Sequence, residues 1–211
     1  MEKKDKRKNI IITGLTSMFT DISSEMIYPI IALYLKALGG SPALLGIIEG
    51  VAESTASLLK VFSGALADRI GRRKPLAIAG YSFSVIGKIL FYFANSWSFI
   101  FAGRFSDRFG KGVRTAPRDA MISESVEGNH QGKAFGLHRT LDSMGAVIGT
   151  MITFFFLFRI QEAARQSGNP AFYIPTFRNI ILLSLIPAII GVAVLFLTIE
   201  TGSSKKSPHL Q

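Results

Sequence analysis

Residues 64–75 read Gly-Ala-Leu-Ala-Asp-Arg-Ile-Gly-Arg-Arg-Lys-Pro, a short segment with one carboxylate, four cations and two glycines. A mostly apolar run of roughly 23 residues begins at Pro42 and leads into it, and about 20 more residues extend from Pro75 to Ala94. Each run is long enough to cross a bilayer core of about 30 Å as a helix. The segment therefore predicts a tight, basic turn between two membrane helices.

This turn also resembles a known family. The pattern Gly-x-x-x-Asp-Arg-x-Gly-Arg-Arg-Lys is similar to the loop between the second and third helices of the major facilitator superfamily of secondary transporters. The matching residues are Gly64, Asp68, Arg69, Gly71, Arg72, Arg73 and Lys74. The resemblance implies a cytoplasmic gating motif that latches the outward-facing state. It also implies that Asp68 meets the positive end of a helix from a second half of the transporter.

The composition is that of a membrane protein. Mean hydropathy is +0.35 and 48% of the 211 residues are hydrophobic, in runs too long for the core of a small soluble domain. Cysteine is absent, which excludes a disulfide framework and a thiol metal site. We find no His-Glu-x-x-His metal site and no serine protease pattern, so we expect no enzyme activity, no metal and no cofactor.

The distribution of positive charge predicts how the chain is oriented. The net charge of +10 does not indicate nucleic-acid binding, because aromatic and basic residues are not interleaved. If six spans alternate, one side of the membrane carries twelve cations: Lys3, Lys4, Lys6, Arg7, Lys8, Arg69, Arg72, Arg73, Lys74, Lys133, Lys205 and Lys206. The other side carries four, Lys36, Arg159, Arg165 and Arg178. The positive-inside rule then predicts a multi-pass protein of the cell membrane with both termini in the cytoplasm.

The expected fold class is an all-α membrane protein with six transmembrane helices, a half bundle of the major facilitator type. We expect a basic tail over residues 1–8, a transmembrane domain over 9–199 and a polar tail over 200–211. The spans are predicted at about 9–35, 42–66, 75–94, 97–114, 132–158 and 177–199. Residues 123–129 are expected to form an inside loop and 159–176 the longest outside loop. Gly145 and Gly149 form a Gly-x-x-x-Gly step that allows close helix packing.

Ionisable residues inside these spans are the candidate site, because such residues are costly in a membrane and usually face a cavity or a partner. Spacings of three and four place Glu49, Glu53, Ser57 and Lys60 on one face of span two, and residues 104, 107, 111, 114 and 118 on one face of span four. The candidate substrate or proton cavity comprises Asp21, Glu25, Glu49, Glu53, Arg104, Asp107, Arg108, Arg139 and Asp142.

Three roles stay open at this stage. Asp21 and Glu25, four residues apart on one face, are either functional or structural ion-pair partners. Lys88 either pairs with an acid of span one or two, or extends towards the outer interface. His138 is either a proton relay or a histidine at a loop end without a special role.

The resemblance implies a secondary transporter that moves a small molecule or ion by alternating access, with proton coupling as a hypothesis. In that hypothesis Asp21, Glu25 and Arg104 exchange partners between conformations, and a carboxylate that loses its cation takes up a proton. Besides the lipid bilayer and the substrate, the expected partner is a second six-helix half, present as a separate chain, as the missing remainder of this one or as a second copy. The alternative function is a membrane assembly or regulatory subunit that transports nothing.

Overall fold

The computed structural model describes residues 3–126, 130–167 and 173–201. In these ranges the chain forms six helices and no strand. They are α1 (Lys3–Ala37), α2 (Pro42–Ile70), α3 (Lys74–Tyr92), α4 (Trp97–Glu124), α5 (Gln131–Ser167) and α6 (Tyr173–Leu195). The predicted all-α fold with six helices is confirmed.

Helix ends follow from local sequence chemistry. The Ser41 side chain accepts a hydrogen bond from the Leu44 backbone N–H at 3.2 Å, and Pro42 opens α2 as predicted. Gly71 closes α2 with φ +68°, a left-handed conformation that favours glycine. The basic turn is therefore tight because one glycine reverses the chain direction.

Helices α1 and α4 hold the bundle together. Helix α4 packs against α2 and α3, α1 packs against α5 and α6, and α3 packs against α6. Smaller contacts join α1 to α4 and to α2. The two groups of three helices, α1 with α5 and α6 and α4 with α2 and α3, thus meet mainly through α3 and α6 and to a smaller extent through α1 and α4.

Three helical segments are long and apolar enough to cross a membrane by length and composition: Lys74–Tyr92, Gln131–Arg159 and Ile174–Leu195. Helices α1, α2 and α4 carry most of the charged residues inside the spans, which lowers their hydropathy. On α4 these charges are turned inward, because Arg104, Asp107 and Arg114 are each no more than 6% exposed. Arg104, Asp107 and Arg114 of the charged stripe are therefore enclosed by protein, whereas Lys111 of the same stripe is exposed.

Helix–helix contacts are closest where glycines face each other. A Cβ added to Gly80 of α3 would lie 2.6 Å from the Gly110 carbonyl oxygen of α4, and one added to Gly87 would lie 2.6 Å from the Gly103 oxygen. The predicted step of Gly145 and Gly149 on α5 packs directly on the backbone of α1 at Met18 and Ile22. These contacts place the charged face of α4 within reach of α3.

Among the differences from the predicted helix bounds, those at the end of α4 and between α5 and α6 are large. Helix α4 continues past 114 to Glu124 with Pro117 inside it, because burial of Met121 and Ile122 at its end offsets the lost backbone hydrogen bond. Helix α5 runs on to Ser167 and α6 begins at Tyr173, so most of the predicted outside loop 159–176 is helical. The segment 161–165, Gln-Glu-Ala-Ala-Arg, consists of strong helix formers.

The predicted tails and inside loop are only partly described. Helix α1 begins at Lys3, so the basic residues assigned to a tail continue the first helix. The end of α4 occupies the start of the predicted inside loop, while residues 127–129 lie outside the described part. The same holds for Met1 and for 202–211, which include Lys205, Lys206 and Gln211.

Candidate functional site

The centre of the site is Arg104 on α4, which forms an ion pair with Glu49 of α2. Its Nε donates to Glu49 Oε1 at 2.7 Å and its Nη2 to Glu49 Oε2 at 2.6 Å, a bidentate pair. The guanidinium also lies 5.1 Å from the centre of the Tyr28 ring of α1. Arg104 is only 3% exposed. This one side chain thus joins α1, α2 and α4.

A second ion pair joins α4 to α2 one helical turn further along both helices. Arg108 Nε lies 2.9 Å from Glu53 Oε1, and Arg104 Nη2 lies 3.9 Å from the same oxygen. Glu53 is half exposed whereas the two arginines are largely buried. Glu49 and Glu53 of the predicted polar stripe therefore have their cations on the neighbouring helix α4, whereas Ser57 and Lys60 of the same stripe are exposed.

Asp107 lies between two cations. Its Oδ1 is 3.7 Å from Lys88 Nζ of α3 and its Oδ2 is 3.8 Å from Arg104 Nη1. Lys88 also donates to Ser24 Oγ at 3.3 Å. The free space among these residues is about 10 Å³, less than a small solute needs. This buried pair therefore links helices and is closed to substrate.

Both alternatives predicted for Lys88 were wrong. Its acid comes from α4 rather than from span one or two, and the side chain, 1% exposed, does not extend to an interface. The physical reason is the close approach of α3 and α4 at Gly87 and Gly103, which leaves Lys88 no path to solvent.

The remaining candidate residues lie around this cluster. Asp21 and Glu25 on α1 are partly buried and make no ion pair in the described part of the chain. Asp21 interacts electrostatically with Asp142 of α5 and with the α4 cations Lys111, Arg114 and Arg118. Asp142 is partly buried. The structural alternative for Asp21 and Glu25, a fixed ion pair, is not formed in this conformation.

Arg139 is separate from the others. It is exposed on α5, in an open hollow that Thr140, Ser143 and Met144 also line. The predicted set thus divides into three groups. The ion-paired group of α2 and α4 comprises Glu49, Glu53, Arg104, Asp107 and Arg108. The other two groups are Asp21 and Glu25 on α1, which form no ion pair in the described residues, and Arg139 and Asp142 on α5.

The basic turn forms its own charged cluster. Arg73 Nη1 lies 2.6 Å from Asp68 Oδ1, and Arg73 Nη2 lies 2.7 Å from Glu124 Oε1 at the end of α4. Hydrogen bonds to Glu124 and then to Asp68 raise the pKa of the Arg73 guanidinium above its usual value. Arg69 and Arg72 are exposed. Arg73 is therefore the residue that ties the turn to α4.

The end of α6 is fixed to the same turn. Glu200 Oε1 accepts hydrogen bonds from the backbone N–H groups of Arg73 at 2.8 Å and Lys74 at 3.3 Å, which caps the start of α3. Lys74 Nζ donates to the carbonyl oxygens of Phe196 at 2.8 Å and Thr198 at 2.6 Å. The chain leaving α6 and the basic turn therefore lie at the same end of the bundle.

The start of α1 lies there too. Asn9 exchanges two hydrogen bonds with the backbone of Ile199, one at 2.9 Å and one at 2.8 Å. Sequence reasoning missed Glu124 and Glu200 as partners of the turn. Both are single acids at helix ends, and no local pattern indicates which loop they reach.

Replacing Glu200 with alanine is expected to lower the free energy of unfolding by about 1 kcal/mol, because two N–H groups at the start of α3 lose their acceptor. The measurement is denaturation in detergent by SDS titration. The exposed Glu162→Ala on α5 is the control and is expected to change little. Equal losses in the two variants would contradict the capping role.

Comparison with known proteins agrees with this arrangement. A family model described as Major Facilitator Superfamily matches residues 13–211. The chain belongs to the major facilitator superfamily. It is 36% identical over 165 residues to an uncharacterised transporter of this type from Methanocaldococcus jannaschii, covering 77% of this chain and 41% of that protein.

Other relatives and solved structures belong to transporters as well. The chain is 27% identical over 139 residues to a multidrug resistance protein from Blochmanniella pennsylvanica, covering 65% of this chain and 34% of that protein. A crystal structure of a POT family transporter in complex with 5-aminolevulinic acid superposes with a TM-score of 0.74 at 16% identity, over 89% of this chain and 37% of that one. At that identity the likeness concerns the fold alone.

These findings confirm the resemblance drawn from the basic turn, and they confirm a membrane protein built as a half bundle of the superfamily. The chain spans well under half the length of the curated relatives that it matches.

Proposed function

We propose that this chain is the first six-helix half of a secondary transporter that moves a small solute by alternating access, with proton movement coupled to it. The observation that carries the proposal is the charge arrangement between α1 and α4. Arg104 and Arg108 are neutralised by Glu49 and Glu53 of α2. Asp21 of α1 lies near other cations of α4, Lys111, Arg114 and Arg118, and neither Asp21 nor Glu25 forms an ion pair in the described residues.

Coupling follows from an exchange of partners. In this conformation Arg104 is bound to Glu49, so the acids of α1 have no direct counterion in the described part of the chain. A carboxylate in that position gains from binding a proton, and it releases the proton once a cation approaches. Movement of α1 relative to α4 would bring Arg104 or Lys111 to Asp21 and thereby expel the proton. Substrate and proton would then use alternate states of one cavity.

The second half completes the cavity in this proposal. Exposed apolar side chains cover α2 and α5, among them Ile47, Leu58, Met151 and Phe154. A further six-helix unit, with lipid around it, would cover such faces. We also propose that the basic turn, the start of α1 and the end of α6 lie on the cytoplasmic side, where twelve predicted cations favour them. There the cluster of Arg73, Asp68 and Glu124 would act as the gating motif.

The test is flux driven by an imposed pH gradient in proteoliposomes that contain the protein from its complete reading frame. Since a multidrug resistance protein is among the relatives, the first probe is ethidium, a lipophilic cation, followed by a panel of labelled small solutes. Asp21→Asn and Glu25→Gln are each expected to lower gradient-driven flux at least tenfold. Removal of the titrating carboxylate abolishes the coupled step, whereas binding of the probe is retained.

The control is Glu162→Gln, which changes an exposed acid at the far end of α5 and is expected to leave flux within twofold. Full gradient-driven flux in Asp21→Asn, Glu25→Gln and Arg104→Gln, tested one at a time, would overturn the proposed coupling. Absence of flux for every probe in the wild-type protein would instead favour a membrane component that does not transport.

A further inference from the structure

His138 is a buried histidine at the junction of three helices. It lies on α5, is 4% exposed, and contacts α1 through Ser17. Its Nε2 is 3.0 Å from Ser17 Oγ, and its Nδ1 is 3.6 Å from Asp142 Oδ2 one turn along the same helix. Both ring nitrogens therefore face a polar atom, which a histidine that only fills space does not require.

Ser17 is shared by three side chains from three helices. Its Oγ lies 3.0 Å from Tyr81 Oη of α3 and accepts a hydrogen bond from Arg118 Nη1 of α4 at 3.2 Å. A hydroxyl has one proton to donate and two lone pairs. Since Arg118 only donates, one lone pair is occupied, and His138 and Tyr81 must divide the remaining lone pair and the proton between them.

Two arrangements of protons satisfy this count. In the first, Ser17 donates to Nε2 of a neutral imidazole and accepts from Tyr81. In the second, Nε2–H donates to Ser17, and Ser17 donates to Tyr81. A protonated imidazole donates from both nitrogens, so it fits only the second arrangement, with Nδ1–H directed at Asp142. The network therefore accommodates a protonated imidazole, and the Tyr81 O–H then turns away from Ser17.

Charged groups of both signs surround His138, and the acid in contact with its ring is Asp142, 3.6 Å from Nδ1. Asp142 and Arg139 approach from its own helix, Arg118 and Asp119 from α4, and Tyr81 faces Ser17 from α3. Arg118 is neutralised by Asp119, with Nη2 and Oδ1 2.9 Å apart. On the α1 side Asp142 interacts with Asp21, and its Oδ1 is buried without a hydrogen bond. A cation at His138 would neutralise one member of this pair of acids.

We propose that His138, with Asp142 as its counterion, is a proton-binding site in the core of this half bundle. Proton uptake places the positive charge on the imidazole and reverses the hydrogen bond between Ser17 and Tyr81. Arg114 stacks on the Tyr81 ring at 4.5 Å and bonds to Ser84, so the reversal occurs beside the contact of α3 and α4. A role of this site in transport rests on the proposed function, whereas binding of the proton does not.

The test is nitrogen-15 NMR of labelled histidine in the protein from its complete reading frame, held in lipid nanodiscs. Ring shifts report the protonated fraction directly, and His138→Gln identifies the signal by its loss. We expect His138 to titrate between pH 5 and pH 8.

Removal of the nearby acid and removal of the nearby cation should shift the protonated fraction of His138 in opposite directions. Asp142→Asn is expected to lower the ratio of protonated to neutral His138 at fixed pH about tenfold, because the counterion is lost. Asp142→Glu should restore most of it. Arg118→Gln should raise the ratio, and Glu53→Gln on α2 should leave it within twofold. Melting curves of each variant identify any that fail to fold.

A signal that stays neutral throughout this pH range, or a ratio that is equal in wild type and in a folded Asp142→Asn, would overturn the proposal. The measurement needs no substrate. If the flux experiment fails while His138 titrates, the coupled transport is therefore rejected and the proton-binding site is retained.

Discussion

Replacing Lys88 with methionine is expected to lower the free energy of unfolding by about 3 kcal/mol or more. Lys88 is 1% exposed and faces Asp107 at 3.7 Å in a cavity with almost no free space. Methionine has a similar volume, so packing is nearly preserved and the loss arises from the buried carboxylate. Arg104 then remains as its neighbour, at 3.8 Å, and is already bound to Glu49. SDS titration in mixed micelles measures the change.

The matched variant removes both charges. Lys88→Met combined with Asp107→Asn is expected to recover at least half of the stability, because no uncompensated charge then stays buried. If the single and the double variant lose equal stability, shape rather than charge would account for the effect, and the electrostatic reading of the pair would be wrong.

Replacing Gly80 with alanine is expected to cost about 2–3 kcal/mol, although alanine is the better helix former. The added methyl carbon would lie 2.6 Å from the carbonyl oxygen of Gly110 and 2.8 Å from the backbone nitrogen of Arg114. Both are backbone atoms and cannot rotate away, so α3 and α4 must separate. That movement also loosens the pair of Lys88 and Asp107. Thermal unfolding in detergent measures the loss.

Gly46→Ala is the control, since a methyl group there meets nothing within 4 Å. It is expected to leave stability unchanged or to raise it by up to about 1 kcal/mol. A harmless Gly80→Ala would show that α3 and α4 do not pack at the distance described.

The observed contacts give the basic turn a structural function besides the gating role we propose for it. Arg73 joins Asp68 to Glu124 of α4, and Glu200 caps α3 while Lys74 caps the end of α6. Four helix ends therefore meet at one loop. A substitution of Asp68 or Arg73 would therefore shift the position of α4, the helix that carries Arg104. Through this contact the loop between α2 and α3 is connected to the charged residues in the core.

Much of this protein follows from local sequence pattern. Helix number, the basic turn with its family, the Ser41 cap and the polar faces of α2 and α4 all depend on residues within a few turns of each other. Periods of three and four residues place side chains on one face of a helix regardless of the rest of the fold. Glu49 and Glu53 were predicted on one face of α2 for that reason, and Arg104 joined them in the candidate site because a charge inside a span is costly.

Partner choice was decided only by the tertiary structure. Lys88 meets Asp107 rather than an acid of α1 or α2, because facing glycines bring α3 against α4. Glu124 meets Arg73 because α4 continues through Pro117 to the level of the turn, and Ser17 meets His138 because α1 and α5 pack at Gly145 and Gly149. Such pairings depend on the axial offset and rotation of whole helices, which are set by packing between segments distant in sequence.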